Sequence, residues 1–130
     1  GGFLFWVGEP TGRNDLCPKG ILTLKEILNM RLKADLVVLN ACASAAGRWE
    51  GPQCIATMPA GFLGAGAKNI LATLWNITDK YAGRFMVNFY RKWLSGMSYS
   101  RALRETKMEM IACRDTALPT LWAAWVLIGR

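Results

Sequence analysis

Apolar residues fall along this chain in two patterns. Short, mostly apolar runs stand at Phe3 to Val7 (Phe-Leu-Phe-Trp-Val), at Leu36 to Leu39 within Asp35 to Ala41, where the run is unbroken, and at Lys68 to Trp75 (Lys-Asn-Ile-Leu-Ala-Thr-Leu-Trp). Each is too short for a helix and rich in β-branched or aromatic side chains, which predicts strands buried on both faces of a parallel sheet. The run at Asp35 to Ala41 is expected at the centre of that sheet, with the other two flanking it. Trp122 to Ile128 predicts a last strand.

Elsewhere the apolar positions recur at helical spacing. Thr23 and Glu26 form a capping box ahead of Leu24, Ile27 and Leu28. Ile55 to Leu63 reads as a helix that Pro59 starts or kinks. Thr78 or Asp79 caps a long helix running to about Leu94, with Ala82, Phe85, Met86, Phe89, Tyr90 and Trp93 on one face. Ser95-Gly96 ends it. Ser98 caps a further helix in which Ala102, Leu103, Thr106, Met110 and Ile111 face inward and Arg101 pairs with Glu105. Gly8 to Gly20 and Gly47 to Gln53 carry the turn residues of loops. Strand and helix alternate, so the expected class is α/β with a mostly parallel sheet flanked by helices.

Composition narrows the function more than the fold. The chain has 130 residues, 52% of them apolar, which is enough for one packed core and no more. It does not begin with Met and its first apolar run starts almost at once, so part of a longer chain is expected. No apolar run approaches the roughly 18 residues of a membrane-spanning helix, and no leader pattern is present. The formal charge of +7 comes from 16 scattered Lys and Arg, of which only Arg91 and Lys92 are adjacent, a pattern that argues against nucleic acid as partner. The four cysteines, Cys17, Cys42, Cys54 and Cys113, match neither a zinc-ligand spacing nor a disulfide framework. A reducing compartment, hence a cytoplasmic location, fits that usage, and neither metal nor cofactor is implied. There is no histidine in the chain. Nucleophilic catalysis would need its general base from elsewhere.

Candidate chemistry sits just past the central strand. Ala41-Cys42-Ala43-Ser44-Ala45-Ala46-Gly47 is a run of small residues at the carboxyl end of the strand, where open α/β sheets bind ligands. Cys42 is there either as a nucleophile or as a small buried apolar residue. Asp79 has two readings as well. It caps a helix next to Thr78, and it also lies just past a strand's carboxyl end, on the sheet edge expected for Cys42. Gly61, Gly64 and Gly66 close a helix and precede a strand, the reverse of a phosphate-cradling loop. The aromatic set Trp75, Phe85, Phe89, Tyr90, Trp93, Trp122 and Trp125 has the spacing of core packing.

Taken in order, several segments resemble the CHAT domain, a caspase-like family related to separase. They are Gly20 to Ile27 (Gly-Ile-Leu-Thr-Leu-Lys-Glu-Ile), Ala34 to Cys42, Gly61 to Ala67, Leu74-Trp75 with Asp79, Phe89-Tyr90, Ala102 to Arg104, and Trp122 to Gly129. The resemblance implies a caspase-like three-layer fold, of which residues 1–130 form the C-terminal, Cys-bearing part. It implies a cysteine endopeptidase with Cys42 as nucleophile, Asp79, Trp75 and Ser44 in the substrate site, and a protein or peptide as substrate. The partner histidine would end a strand upstream of Gly1, so this chain alone is expected to be inactive. The backbone N–H of Cys42 and a glycine beside that histidine would hold the oxyanion. Helical repeats ahead of the domain are implied too.

The chain departs from the family pattern at named positions. Asn40 stands where Ser is usual, and Ser44 where Thr is common; both keep hydrogen-bonding capacity. Glu50-Gly51-Pro52 replaces Gly-Glu-Gly, and Leu118 stands where His or Asn precedes Pro119. These changes keep a second reading open, a catalytically inactive module that has retained the fold for protein interaction.

Overall fold

A computed structural model of the chain describes residues 3–4, 24–40 and 53–129. In chain order the elements are β1 (Phe3–Leu4), α1 (Leu24–Asn29), β2 (Val37–Leu39), α2 (Gln53–Gly64), β3 (Asn69–Thr73), α3 (Asp79–Leu94), α4 (Tyr99–Ala112), α5 (Pro119–Trp122) and β4 (Trp125–Gly129). Among the described residues the sheet has the order β1-β2-β3-β4. β2 is parallel to both neighbours, with Phe3 opposite Val37 and Val37 opposite Ile70. The expected central position of the Asp35 to Ala41 run is therefore observed. β4 runs antiparallel to β3, with Leu71 opposite Leu127 and Thr73 opposite Trp125.

Alternation along the strands divides the core in two, because successive side chains leave a sheet on opposite faces. Val38, Leu71, Trp125 and Leu127 pack with Phe85 and Phe89 of α3 and with Ala102 and Met110 of α4. Val37, Ile70, Ala72, Val126 and Ile128 pack instead with Ile27 of α1 and Phe62 of α2. Fully burying a side chain such as Phe85 or Ile70 stabilises by about 1.5–3 kcal/mol relative to exposure. Phe85 lies flat against Trp125, with centroids 4.2 Å apart and planes at 2°. This contact ties α3 to the antiparallel strand.

Helix ends follow from local chemistry. Ser98 caps α4 by accepting from the Arg101 amide, as expected. At the end of α2 the Gly66 amide donates to Leu63 and the Ala67 amide to Phe62, the paired bonds of a Schellman turn. Gly66 sits there at φ 110°, a region that favours glycine. The reading of these glycines as a helix terminus holds. Leu32 then donates to the Ala65 carbonyl at 2.7 Å, so the approach to β2 leans on this turn.

Several expectations need correction. The third strand stops at Thr73, and Trp75 is 39% exposed instead of packing in the core. Trp122 belongs to α5, where Pro119 occupies a first-turn position that needs no N–H. Arg101 does not pair with Glu105; Arg104, one residue away, reaches that carboxylate at 3.3 Å. Ile111 is 40% exposed, because α4 turns a second apolar face outward. α2 spans Gln53–Gly64 with Pro59 inside it. The Thr23 cap, the Gly8 to Gly20 loop, and Cys42 and Ser44 lie outside the described residues.

Candidate functional site

The carboxyl ends of β2 and β3 lie side by side, since Leu39 pairs with Ala72. From β2 the chain leaves through Asn40, which is exposed, toward positions 41–52. From β3 it passes through Leu74, Trp75 and Asn76 to Ile77, which is only 7% exposed and anchors the segment in the core beneath α3. That anchor fixes where α3 begins. The Thr78 carbonyl accepts the Tyr81 and Ala82 amides at 3.0 Å, so Thr78 is the N-cap, although its side chain makes no capping bond.

Asp79 is the first residue of α3 and is exposed. A carboxylate in a helix's first turn is favoured by the unpaired amides there. Among the described residues no ion pair involves it. The carboxylate thus remains open to a cation arriving from outside.

Trp75, four residues before Asp79, reaches α5. Its indole N–H donates to the Thr120 carbonyl at 2.8 Å, and the Leu74 amide donates to the Ala124 carbonyl at 2.9 Å. Trp122 fixes the same region by donating to the Ala117 carbonyl at 3.1 Å. The Trp75 ring is therefore held by its polar edge while part of its apolar surface faces water. Leu74 and Leu118 are also exposed, at 37% and 65%. Chemically, an exposed apolar shelf and an exposed carboxylate a few residues further along the chain suit a side chain with an apolar stem and a cationic head.

Of the sequence-derived site residues, the structure places Asp79 and Trp75 on one sheet edge, while Cys42 and Ser44 lie outside the described residues. Sequence reasoning missed Leu74, and it noted Leu118 only as a departure. The signal for Leu118 was its place before Pro119, which starts α5 and brings Thr120 within reach of Trp75. Asp35 belongs to the opposite edge, where Lys68 Nζ lies 2.6 Å from its Oδ1; that hydrogen bond and charge hold its carboxyl below the usual range. Among the described residues no three metal-ligating side chains converge.

Cys113, at the end of α4, is a free cysteine. The Asp115 backbone N–H, the Thr116 hydroxyl and the Arg84 guanidinium all lower its thiol below the ordinary value. Arg84 Nη2 lies 3.4 Å from the sulfur. Nothing in the spacing of the sequence pointed to this pair.

Comparison with known proteins adds two findings. The family model of the CHAT domain matches residues 1–130. The mouse protein named Tetratricopeptide repeat protein 28 is 33% identical over 109 residues, and its human namesake is 31% identical over the same length. In both cases 84% of this chain is matched, and the chain spans about 4% of the relative's length.

Proposed function

The chain belongs to the CHAT domain family, and from that premise we propose that it is the Cys-bearing part of a caspase-like cysteine endopeptidase. The observation that carries the reading is the geometry of β2. It is central and parallel to both neighbours, and its last residue, Leu39, pairs with Ala72 at the carboxyl end of β3, from which the chain runs on to Trp75 and Asp79. A caspase-like three-layer arrangement agrees with helices packing on both faces of the sheet.

In this reading the Cys42 thiolate attacks the carbonyl carbon of the scissile peptide bond. A histidine from a segment outside this chain takes the thiol proton and passes it to the departing amine. Water then hydrolyses the thioester and regenerates the thiol. A free thiol supplies only a few per cent thiolate at neutral pH, so the imidazole is required. The Cys42 backbone N–H donates to the oxyanion, a type of contact worth on the order of 3 kcal/mol. Asp79 binds a basic residue ahead of the scissile bond, the Trp75 face packs on its stem, and Ser44 offers a hydroxyl to the peptide. A cytoplasmic setting keeps the thiol reduced, and repeats like those in the relatives' name would present or restrain the domain.

The test is peptide cleavage by the longer protein that carries this chain, beside its Cys42→Ala variant and the 130-residue chain alone. Only the unmodified longer protein is expected to cleave. Cleavage that survives Cys42→Ala, or activity from the chain alone, would overturn the reading.

A further inference from the structure

β4 is the last strand of the sheet, and its outer edge carries no partner strand among the described residues. The register shows which groups that edge offers. Leu74 donates to the carbonyl of Ala124, which makes Leu74 and Ala124 a hydrogen-bonded pair. In an antiparallel ladder such pairs alternate, so Val126 and Ile128 also bond inward to β3. The backbone N–H and C=O groups of Trp125, Leu127 and Gly129 therefore point outward; Trp125 is fully buried, so the accessible part of the edge is Leu127 to Gly129. An open edge of this kind is a template for another strand.

The same edge is the floor of a groove. A depression of about 560 Å³ is lined by Leu103, Arg104, Lys107, Met108 and Ile111 of α4 and by Trp125, Val126 and Leu127 of β4. A smaller one of about 310 Å³ continues it past Leu127 to Gly129, beside Ser98, Tyr99 and Ser100. Met108 and Ile111 are 50% and 40% exposed, so the outer face of α4 is apolar along a track that no described element covers.

The charges along the groove are of one sign. Arg104 and Lys107 line it, and no carboxylate does. Of the acids of α4, Glu109 lies 2.6 Å from Lys92 of α3, and Glu105 meets the groove's own Arg104 in an exposed pair. Pairs of that exposed kind re-form readily with a competitor. Among the described residues no ion pair involves Lys107, and burial lowers its pKa.

We propose that the β4 edge and the α4 face form a docking groove for an acidic, apolar peptide segment that adds as an extended strand. Main-chain bonds to Leu127 and Gly129 give the affinity, apolar side chains fill the space beneath α4, and carboxylates meet Arg104 and Lys107. A second copy of this chain fits less well, because its groove lining offers the same cations and no acid. Nucleic acid supplies the negative charge but not the strand.

The experiment measures fluorescence anisotropy of labelled, end-blocked hexapeptides with the longer protein that carries this chain. The probes are an alternating Glu-Val peptide, its Lys-Val counterpart, the Glu-Val peptide N-methylated at alternate amides, and a 20-nucleotide single-stranded RNA. The Glu-Val peptide is expected to bind, with N-methylation weakening it at least about tenfold as main-chain bonds are lost. Arg104→Glu, on the surface, with Lys107→Glu, half-buried, should transfer preference to the Lys-Val peptide. Leu127→Pro should abolish binding without removing an internal ladder bond, since its N–H points outward. Equal binding of the methylated peptide overturns strand addition, and equal binding of both charge types overturns the acidic partner. RNA binding in place of the peptide, or dimerisation in sedimentation that Leu127→Pro removes, overturns the proposal outright.

Discussion

Three glycines separate conformational strain from steric contact, and replacing each with alanine tests the packing that positions β2. Gly96, after α3, has φ 98° and open space where a Cβ would stand, so Gly96→Ala meets only the backbone penalty. That is about 1–2 kcal/mol. Gly66, after α2, has φ 110°, and a Cβ there would run into the Leu32 carbonyl oxygen, a backbone atom that cannot swing aside. Relief requires the Leu32 segment to move away from Ala65, stretching a 2.7 Å hydrogen bond whose loss adds about 1 kcal/mol, beyond the contact itself. Gly66→Ala should therefore destabilise by about 3–4 kcal/mol, the strain and the steric contributions together. Gly83 lies inside α3 with nothing near its Cβ position, and Gly83→Ala should stabilise by about 0.5–1 kcal/mol through helix propensity. Urea unfolding followed by tryptophan fluorescence gives all three values, provided the slopes agree. If Gly66→Ala matched Gly96→Ala within about 0.5 kcal/mol, a margin near the error of such measurements, the close approach of Leu32 would have no energetic role.

The remaining predictions concern charge and thiol chemistry. With Asp79→Asn, cleavage of substrates carrying Lys or Arg before the scissile bond should fall while those carrying Ala or Leu there change little; an even loss across both sets would contradict the pocket assignment. Because the Cys113 thiol is lowered from the ordinary 9.0, more of it is thiolate at neutral pH than in an unstructured peptide. Its alkylation, followed residue by residue by mass spectrometry, should rise with pH about a midpoint below 9.0, and Arg84→Ala should move that midpoint up. A midpoint that Arg84→Ala leaves unchanged would show that the Arg84 contact does not act on the sulfur.

What the sequence disclosed and what it withheld divide along physical lines. Burial on both faces leaves an unbroken apolar run, so Leu36 to Leu39 announced a central strand. A single amphipathic face leaves a 3.6-residue period, so Ala82, Phe85 and Phe89 announced the buried side of α3. α4 was misread at Ile111 because it carries two apolar faces, and periodicity alone does not say which one finds a partner. Arg101 and Glu105 had the right spacing, but Arg104 was closer to the carboxylate. Half of the expected site, Cys42 and Ser44, lies outside the described residues. The general base is beyond any reading of this chain, which contains no histidine.

Strand direction was the least legible feature, since a run of apolar residues reads the same both ways, and it has the largest consequence for the site. Because β4 is antiparallel, its first residue, Trp125, lies opposite Thr73 at the carboxyl edge. The turn before it, with Ala124 and Thr120, therefore arrives where Leu74 and Trp75 leave β3, and supplies the two carbonyls that hold them. A parallel β4 would have begun at the opposite edge, near Asn69. Trp75 would then have lost its acceptor, and the shelf beside Asp79 would have had no fixed wall. The antiparallel direction thus places α5 in the candidate site, and it leaves the backbone groups of Leu127 and Gly129 facing outward along a groove that starts at that same edge.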